Sequence, residues 1–201
     1  MNEWIEQYKQ YHKEHTEYGN GGGLKFYLQH IVDLVQDTKA ETLLDYGCGK
    51  AEGYLHHKHH KNWGDIMPSL YDPAISEYEV LPDGNFDGVI SFDVLEHIPK
   101  EQIPETFQTI FSKAKKFVFL GIATAPAKAI LPNGENAHCT VEPIGWWETM
   151  VEKYAPKRVY THIKTAGDCN SYSILNEDLY MDFFLNNLKI NEKALDNATK
   201  V

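Results

Sequence analysis

Acidic residues and glycines gather at three points of this chain. Asp45, Gly47 and Gly49 stand in the run TLLDYGCGKAEG, residues 42–53. Asp72-Pro73 follows Asp45 by 27 residues, and Asp93 heads the run DVLEHIP. Each acid comes directly after an apolar stretch, so each belongs where a buried strand emerges. Glycines just beyond such an end allow backbone angles and a close approach that a Cβ would forbid. A strand, an acid and a glycine turn opening into a helix cradle an adenosine-type cofactor in Rossmann-like sheets. Cys48 lies inside that turn, where its small size matters more than its thiol. Two histidines, His97 and His138, fall near strand ends, and imidazole is the side chain most often used to take up a proton. Trp146 and Trp147 follow the loop that carries His138. They either cap a substrate pocket or divide between core and surface.

The elements that must hold these residues alternate in type. Trp4, Ile5, Tyr8 and Tyr11 recur at helical spacing between charged residues, and this helix must stop by the flexible GNGGG run at 19–23. Tyr18 and that run either fold over a cofactor as a lid or simply link two helices. Leu24, Leu28, Ile31, Val32 and Val35 set the stripe of a second helix, to about Gln36. Strands are expected at 42–45, 65–71, 86–92 and 117–123. Ala74–Asn85 is too short for both a helix and a strand, so the third βα unit is abbreviated.

A turn at Val94–Ile98 is interrupted by Pro99, and a helix begins near Pro104 with Lys113, Lys115 and Lys116 in its last turn. Thr124–Pro143 is a loop of 20 residues with three prolines, a length common in lids and binding loops. A helix with Trp147, Val151 and Tyr154 in its stripe comes next. Strands at 158–164 and 171–175 are expected to pair antiparallel, ahead of a helix over Leu179–Leu188 and a polar tail. The fold expected is α/β: a mostly parallel, Rossmann-like sheet with helices on both faces and an antiparallel C-terminal strand pair. Residues 1–23 form an N-terminal helix and glycine-rich segment, 24–185 the main domain and 186–201 the tail.

With a net charge of −10 and no basic stripe, the chain lacks the phosphate contacts that duplex nucleic acid requires. Cys48, Cys139 and Cys169 form no CxxC pair, which argues against a zinc site or a disulfide framework. The run HHKHH at 56–60 has only His56 and His60 four apart; it reads as a solvated helix face, and no metal is expected. Met1 leads into charged residues rather than a signal sequence, and no apolar run approaches the ~20 residues of a membrane span. A cytoplasmic location follows, with no membrane partner; the oligomeric state is left open.

DYGCG and FDVLEHIP together resemble the class I S-adenosylmethionine-dependent methyltransferases, in their compact type-11-like branch with its short bacteriophage members. The likeness covers about residues 24–175. It implies that Asp45, Gly47 and Gly49, with Cys48 between them, face the methionine part of S-adenosylmethionine. It implies that Asp72, beside Pro73, receives the ribose hydroxyls, and that Phe92, Asp93, Val94 and Leu95 flank adenine and sulfonium. His97 matches the EH pair near the substrate. Ala51 stands where the family often has a third glycine, and the shortened unit leaves Asp83 as the nearest substitute for an adenine-binding acid.

Methyl transfer from a sulfonium is an in-line displacement, which alignment alone can favour by about 7–11 kcal/mol. His97 or His138 then serves as the base, and Asp93 either faces the cofactor or caps the following helix. The resemblance thus implies O- or N-methylation of a small polar molecule. A nicotinamide-dependent oxidoreductase is less well matched, because Lys50-Ala51-Glu52 replaces the rest of GxGxxG. A non-catalytic module that binds an adenosyl cofactor is the other alternative.

Overall fold

The computed structural model describes residues 3–156 and the backbone of 160–166 and 171–174. Five helices, α1 (Glu3–Glu14), α2 (Leu24–Thr38), α3 (Glu52–Leu55), α4 (Ile103–Lys113) and α5 (Ile144–Tyr154), accompany a single sheet among these residues. Its strands are β1 (Leu43–Tyr46), β2 (Ser69–Tyr71), β3 (Phe86–Phe92), β4 (Ala114–Ala123), β5 (Tyr160–Ala166) and β6 (Ser171–Ile174). They lie in the order β2-β1-β3-β4-β5-β6. Pairings are parallel from β2 through β5, while β5 and β6 run antiparallel. The chain has a Rossmann-like α/β fold.

Strand composition follows from burial on both faces. In β4, Val118, Leu120 and Ile122 join a core with Phe107 and Ile110 of α4 and Trp147 and Val151 of α5. Phe117 and Phe119 alternate with them and pack instead with Leu24, Ile31 and Val35 of α2. A strand covered on both sides has no polar face, which explains its nearly continuous apolar run.

Three expectations need correction. The histidine run is not a helix face: α3 ends at Leu55, Lys58 is left-handed with φ 52°, and His59–Trp63 is a 3₁₀ turn whose Trp63 is buried. The second strand is confined to 69–71, because Asp65, at φ 63°, cannot extend it. Lys115 and Lys116 lie in β4 rather than in a helix end, since α4 stops at Lys113. Lys116 donates to the Lys39 carbonyl at 2.7 Å and pairs with Asp87 at 3.3 Å. Between β2 and β3, residues 72–85 contain neither helix nor strand, so Tyr71 is followed by turns alone. The helix expected at Leu179–Leu188 and the polar tail lie outside the described residues. No described helix is long and apolar enough to cross a membrane.

Candidate functional site

Strand order reverses between β1 and β3: the chain leaves β1 toward β2 on one side, then continues from β3 to β4 on the other. Ligands of open α/β sheets bind outside the carboxyl ends at such a reversal. A cavity of about 640 Å³ opens there, within the range of small-molecule sites.

Hydrogen bonds shape its floor. The N–H groups of Gly47 and Cys48 both donate to the Tyr71 carbonyl, at 2.7 and 3.1 Å. Asp72 ties the turn further: Gly49 N–H donates to Oδ2 and Ala74 N–H to Oδ1, each at 2.9 Å. Gly47 has φ +93°, and a Cβ on it would lie 2.2 Å from the Val94 side chain. Gly49 has φ +54°, and its Cβ would meet the Gly19 carbonyl at 2.2 Å. Lys50 N–H donates to that same carbonyl at 2.7 Å. Glycine at position 49 therefore lets the 19–23 segment lie directly on the turn.

One wall comes from β3. Asp93 is left-handed, with φ 54°, and Tyr27 donates its hydroxyl to Asp93 Oδ1 at 3.1 Å. Such strain in a non-glycine residue clusters at functional sites. Helix α1 supplies the facing wall with Trp4, Tyr8 and His12. Its aromatic stripe was legible as a helix, but nothing in the spacing indicated that the stripe faces a cavity. Tyr46, Tyr71 and Thr106 line it too and carried no sequence signal of a site.

Of the residues expected at the cofactor, Tyr18, Gly47, Cys48, Gly49, Asp72, Pro73, Phe92, Asp93 and Val94 border this cavity, as does His97, expected as a base near the substrate. Asp45 does not: it is buried behind the turn, accepting the Tyr54 hydroxyl at 2.6 Å on Oδ2. Burial chiefly, with a repulsive contribution from Asp72, pushes its carboxyl up to about 7 despite that bond. Leu95 is also absent, because its side chain packs into the α4 core. Burial raises the Cys48 thiol, which removes it as a nucleophile at neutral pH. Asp83 is exposed and away from the cavity.

Trp146 and Trp147, expected either to cap a substrate pocket or to divide between core and surface, border neither this cavity nor its neighbour. The stripe of α5 turns Trp147 wholly into the core, stacked 6.4 Å from Phe107. Trp146 sits half-buried at the edge of that core, under Lys100 at 5.2 Å.

A second cavity, about 460 Å³, adjoins the first and shares Tyr18, Asp93 and His97 with it. His138 borders this one, with its ring centroid 4.7 Å from that of His97. His97 Nδ1 lies 2.8 Å from the Ala137 carbonyl and His138 Nδ1 lies 2.6 Å from the Ala125 carbonyl. A carbonyl only accepts, so both Nδ1 atoms carry hydrogen and both Nε2 atoms keep a lone pair when the rings are neutral. Burial, with repulsion from His138, lowers His97 to about 4. Glu96, next to it, is fully buried and pushed up to about 8 by burial and then by Asp93. Glu96 escaped the sequence reading because a carboxylate beside a histidine does not show which way it faces.

Asp72 keeps hydrogen-bonding capacity beyond the two N–H groups that it holds. Each carboxylate oxygen accepts one N–H and retains lone-pair capacity for a further donor. No protein-family model and no curated protein matches this chain.

Proposed function

We propose that this chain transfers a methyl group from S-adenosylmethionine to an oxygen or nitrogen of a small polar molecule. The observation that carries this reading is the cavity at the strand-order reversal, bounded by the Gly47–Gly49 turn, Asp72 and Asp93. An abbreviated third unit and an antiparallel last strand pair fit the compact class I methyltransferases that DYGCG and FDVLEHIP resemble. A small acceptor and a cytoplasmic setting suit a chain with net charge −10.

In this reading the 47–49 turn brings backbone against the methionine part of the cofactor, and Asp72 accepts the ribose hydroxyls. Val94 and Asp93 hold the adenine and sulfonium region, with Tyr18 and residues 19–23 closing over it. Asp45 acts from behind, anchoring the turn through Tyr54 rather than touching ligand. Bound there, S-adenosylmethionine supplies an electrophilic methyl, its sulfur keeping the electron pair as the methyl moves to the acceptor. The acceptor's proton leaves toward the His97–His138 side, where the two cavities join. Burial holds His97 at about 4, which makes it a weak base at neutral pH.

Calorimetry with S-adenosylmethionine, S-adenosylhomocysteine and NAD tests the reading. Micromolar binding of the two sulfur compounds, with none of NAD, is expected. Tighter binding of NAD overturns it, and binding of the sulfur compounds without turnover on any polar acceptor leaves a non-catalytic cofactor-binding module.

A further inference from the structure

Where the two cavities join, three side chains are arranged for a task that proton transfer alone does not explain. Glu96, His97 and His138 each bring one ligand atom to within 4.8 Å of the others. They come from two distant parts of the chain: Glu96 and His97 from the 3₁₀ turn after β3, and His138 from the loop between β4 and α5. We propose that these residues bind one divalent transition-metal cation, through Glu96 Oε2 and the Nε2 atoms of His97 and His138.

The clearest sign is the state of Glu96. Its Oε1 accepts the Ala123 N–H at 3.0 Å, while Oε2 has no hydrogen-bond partner among the described residues. The side chain is fully buried from solvent yet borders the second cavity. A buried carboxylate oxygen with no partner is costly, and a directly bound cation is one of the few groups that relieves it. No hydrogen bond joins Glu96 to either imidazole, so the three do not satisfy one another.

Both histidines are already held as ligands must be. Ring nitrogens that bind metal are oriented by the hydrogen bond the other nitrogen makes, commonly to a backbone carbonyl. Here Ala137 O fixes His97 and Ala125 O fixes His138, which leaves Nε2 free in each. The supports are themselves supported. Tyr8 donates its hydroxyl to the Ala137 carbonyl at 2.5 Å. Asn136 accepts the N–H groups of Ala127 and His138 on Oδ1 and donates to the Ala127 carbonyl, each at 2.9 Å. Thr140 then binds the loop back to the 3₁₀ turn, its N–H to Glu96 O and its hydroxyl to Ile98 O.

Two imidazoles and one carboxylate with open positions beyond them suit Zn²⁺, Mn²⁺, Fe²⁺ or Co²⁺. Mg²⁺ and Ca²⁺ prefer oxygen donors throughout and should bind more weakly. At metal–ligand distances of about 2.1 Å, ligand atoms stand roughly 3–4 Å apart. Ligand atoms already within 4.8 Å of one another need only a small adjustment to close around the ion. Asp93 borders the same cavity and adds negative charge, while Lys128 on its rim is exposed. The cation site stands on these contacts and does not depend on the methyl-transfer reading. Where that reading also holds, the ion lies on the acceptor side and would acidify a hydroxyl bound to it.

The test uses the full chain, stripped with a chelator and titrated with Zn²⁺, Mn²⁺ and Co²⁺ by equilibrium dialysis with metal analysis. Co²⁺ visible absorption reports the ligand environment. One cation per chain is expected, with affinity weakened on the order of 100-fold or more in His138→Ala and in Glu96→Gln. Circular dichroism confirms that each variant folds. His138 is half-buried on a loop, so its variant keeps the test valid should Glu96→Gln unfold. A control variant, His57→Ala with His59→Ala, should bind as the parent does. Absence of stoichiometric binding, full affinity in His138→Ala, or binding lost only in the control pair each overturns the site. Calorimetry of S-adenosylhomocysteine on the metal-free chain reports the cofactor reading separately.

Discussion

Replacing Asp72 by alanine should weaken the fold and, in the proposed reading, cofactor binding too. Its oxygens accept the N–H groups of Gly49 and Ala74, each at 2.9 Å. Hydrogen bonds to a charged group contribute about 1.5–3 kcal/mol each, so the two give roughly 3–6 kcal/mol gross. Burial works against the charge and holds this carboxyl above its usual range even with both N–H groups bound. Water entering from the cavity can also replace part of what is lost. The net loss should therefore fall near the lower bound, at about 3 kcal/mol. For a chain of this size each kcal/mol moves Tm by about 2–4 °C, so the variant should melt roughly 6–12 °C lower. Affinity for S-adenosylhomocysteine should fall at least tenfold, since losing even one ribose contact of this kind exceeds the ~1.4 kcal/mol that a decade represents. Thermal denaturation by circular dichroism and calorimetry on the folded variant read the two effects. A Tm within about 2 °C of the parent would show that Asp72 does not hold the turn. A lowered Tm with unchanged affinity would show that a different acid meets the cofactor.

Asp45→Asn tests the buried acid behind the turn. Its carboxyl is held near 7 against an ordinary 3.8, so it favours the folded state below pH ~4 and loses that contribution as pH rises toward 7. At about 1.4 kcal/mol per pH unit the gap corresponds to about 4 kcal/mol. Subtracting variant from parent stability across pH 4–8 should reveal that slope, and parallel curves would refute it. Trp147→Ala should destabilise the fold by about 3–5 kcal/mol in chemical denaturation, whereas Trp146→Ala, half-buried at the edge of the core, should cost clearly less. Comparable losses for the two would contradict the orientation of that helix.

Local patterns carried much of the architecture. The α2 stripe, the apolar runs of β3 and β4, and the acid–glycine turn after β1 are each recorded within a dozen residues, because periodicity and turn chemistry act over that range. Placing Asp72 and Asp93 near strand ends needed no more than this. Chain order alone did not decide which acids face the cavity. Asp45 lies within β1 and turns inward to Tyr54, while Asp72, just past β2, holds Gly49 from the cavity side. Periodicity likewise marked the aromatic stripe of α1 and the adjoining tryptophans of α5 without saying what each faced. Packing decided that α1 walls the cavity and that Trp147 fills the core. The meeting of Glu96 and His97 with His138 lay further from sequence, since about forty residues separate them. Only the parallel pairing of β3 with β4 sets the ends of those strands side by side, and only the hydrogen-bonded 124–143 loop returns His138 to the turn after β3.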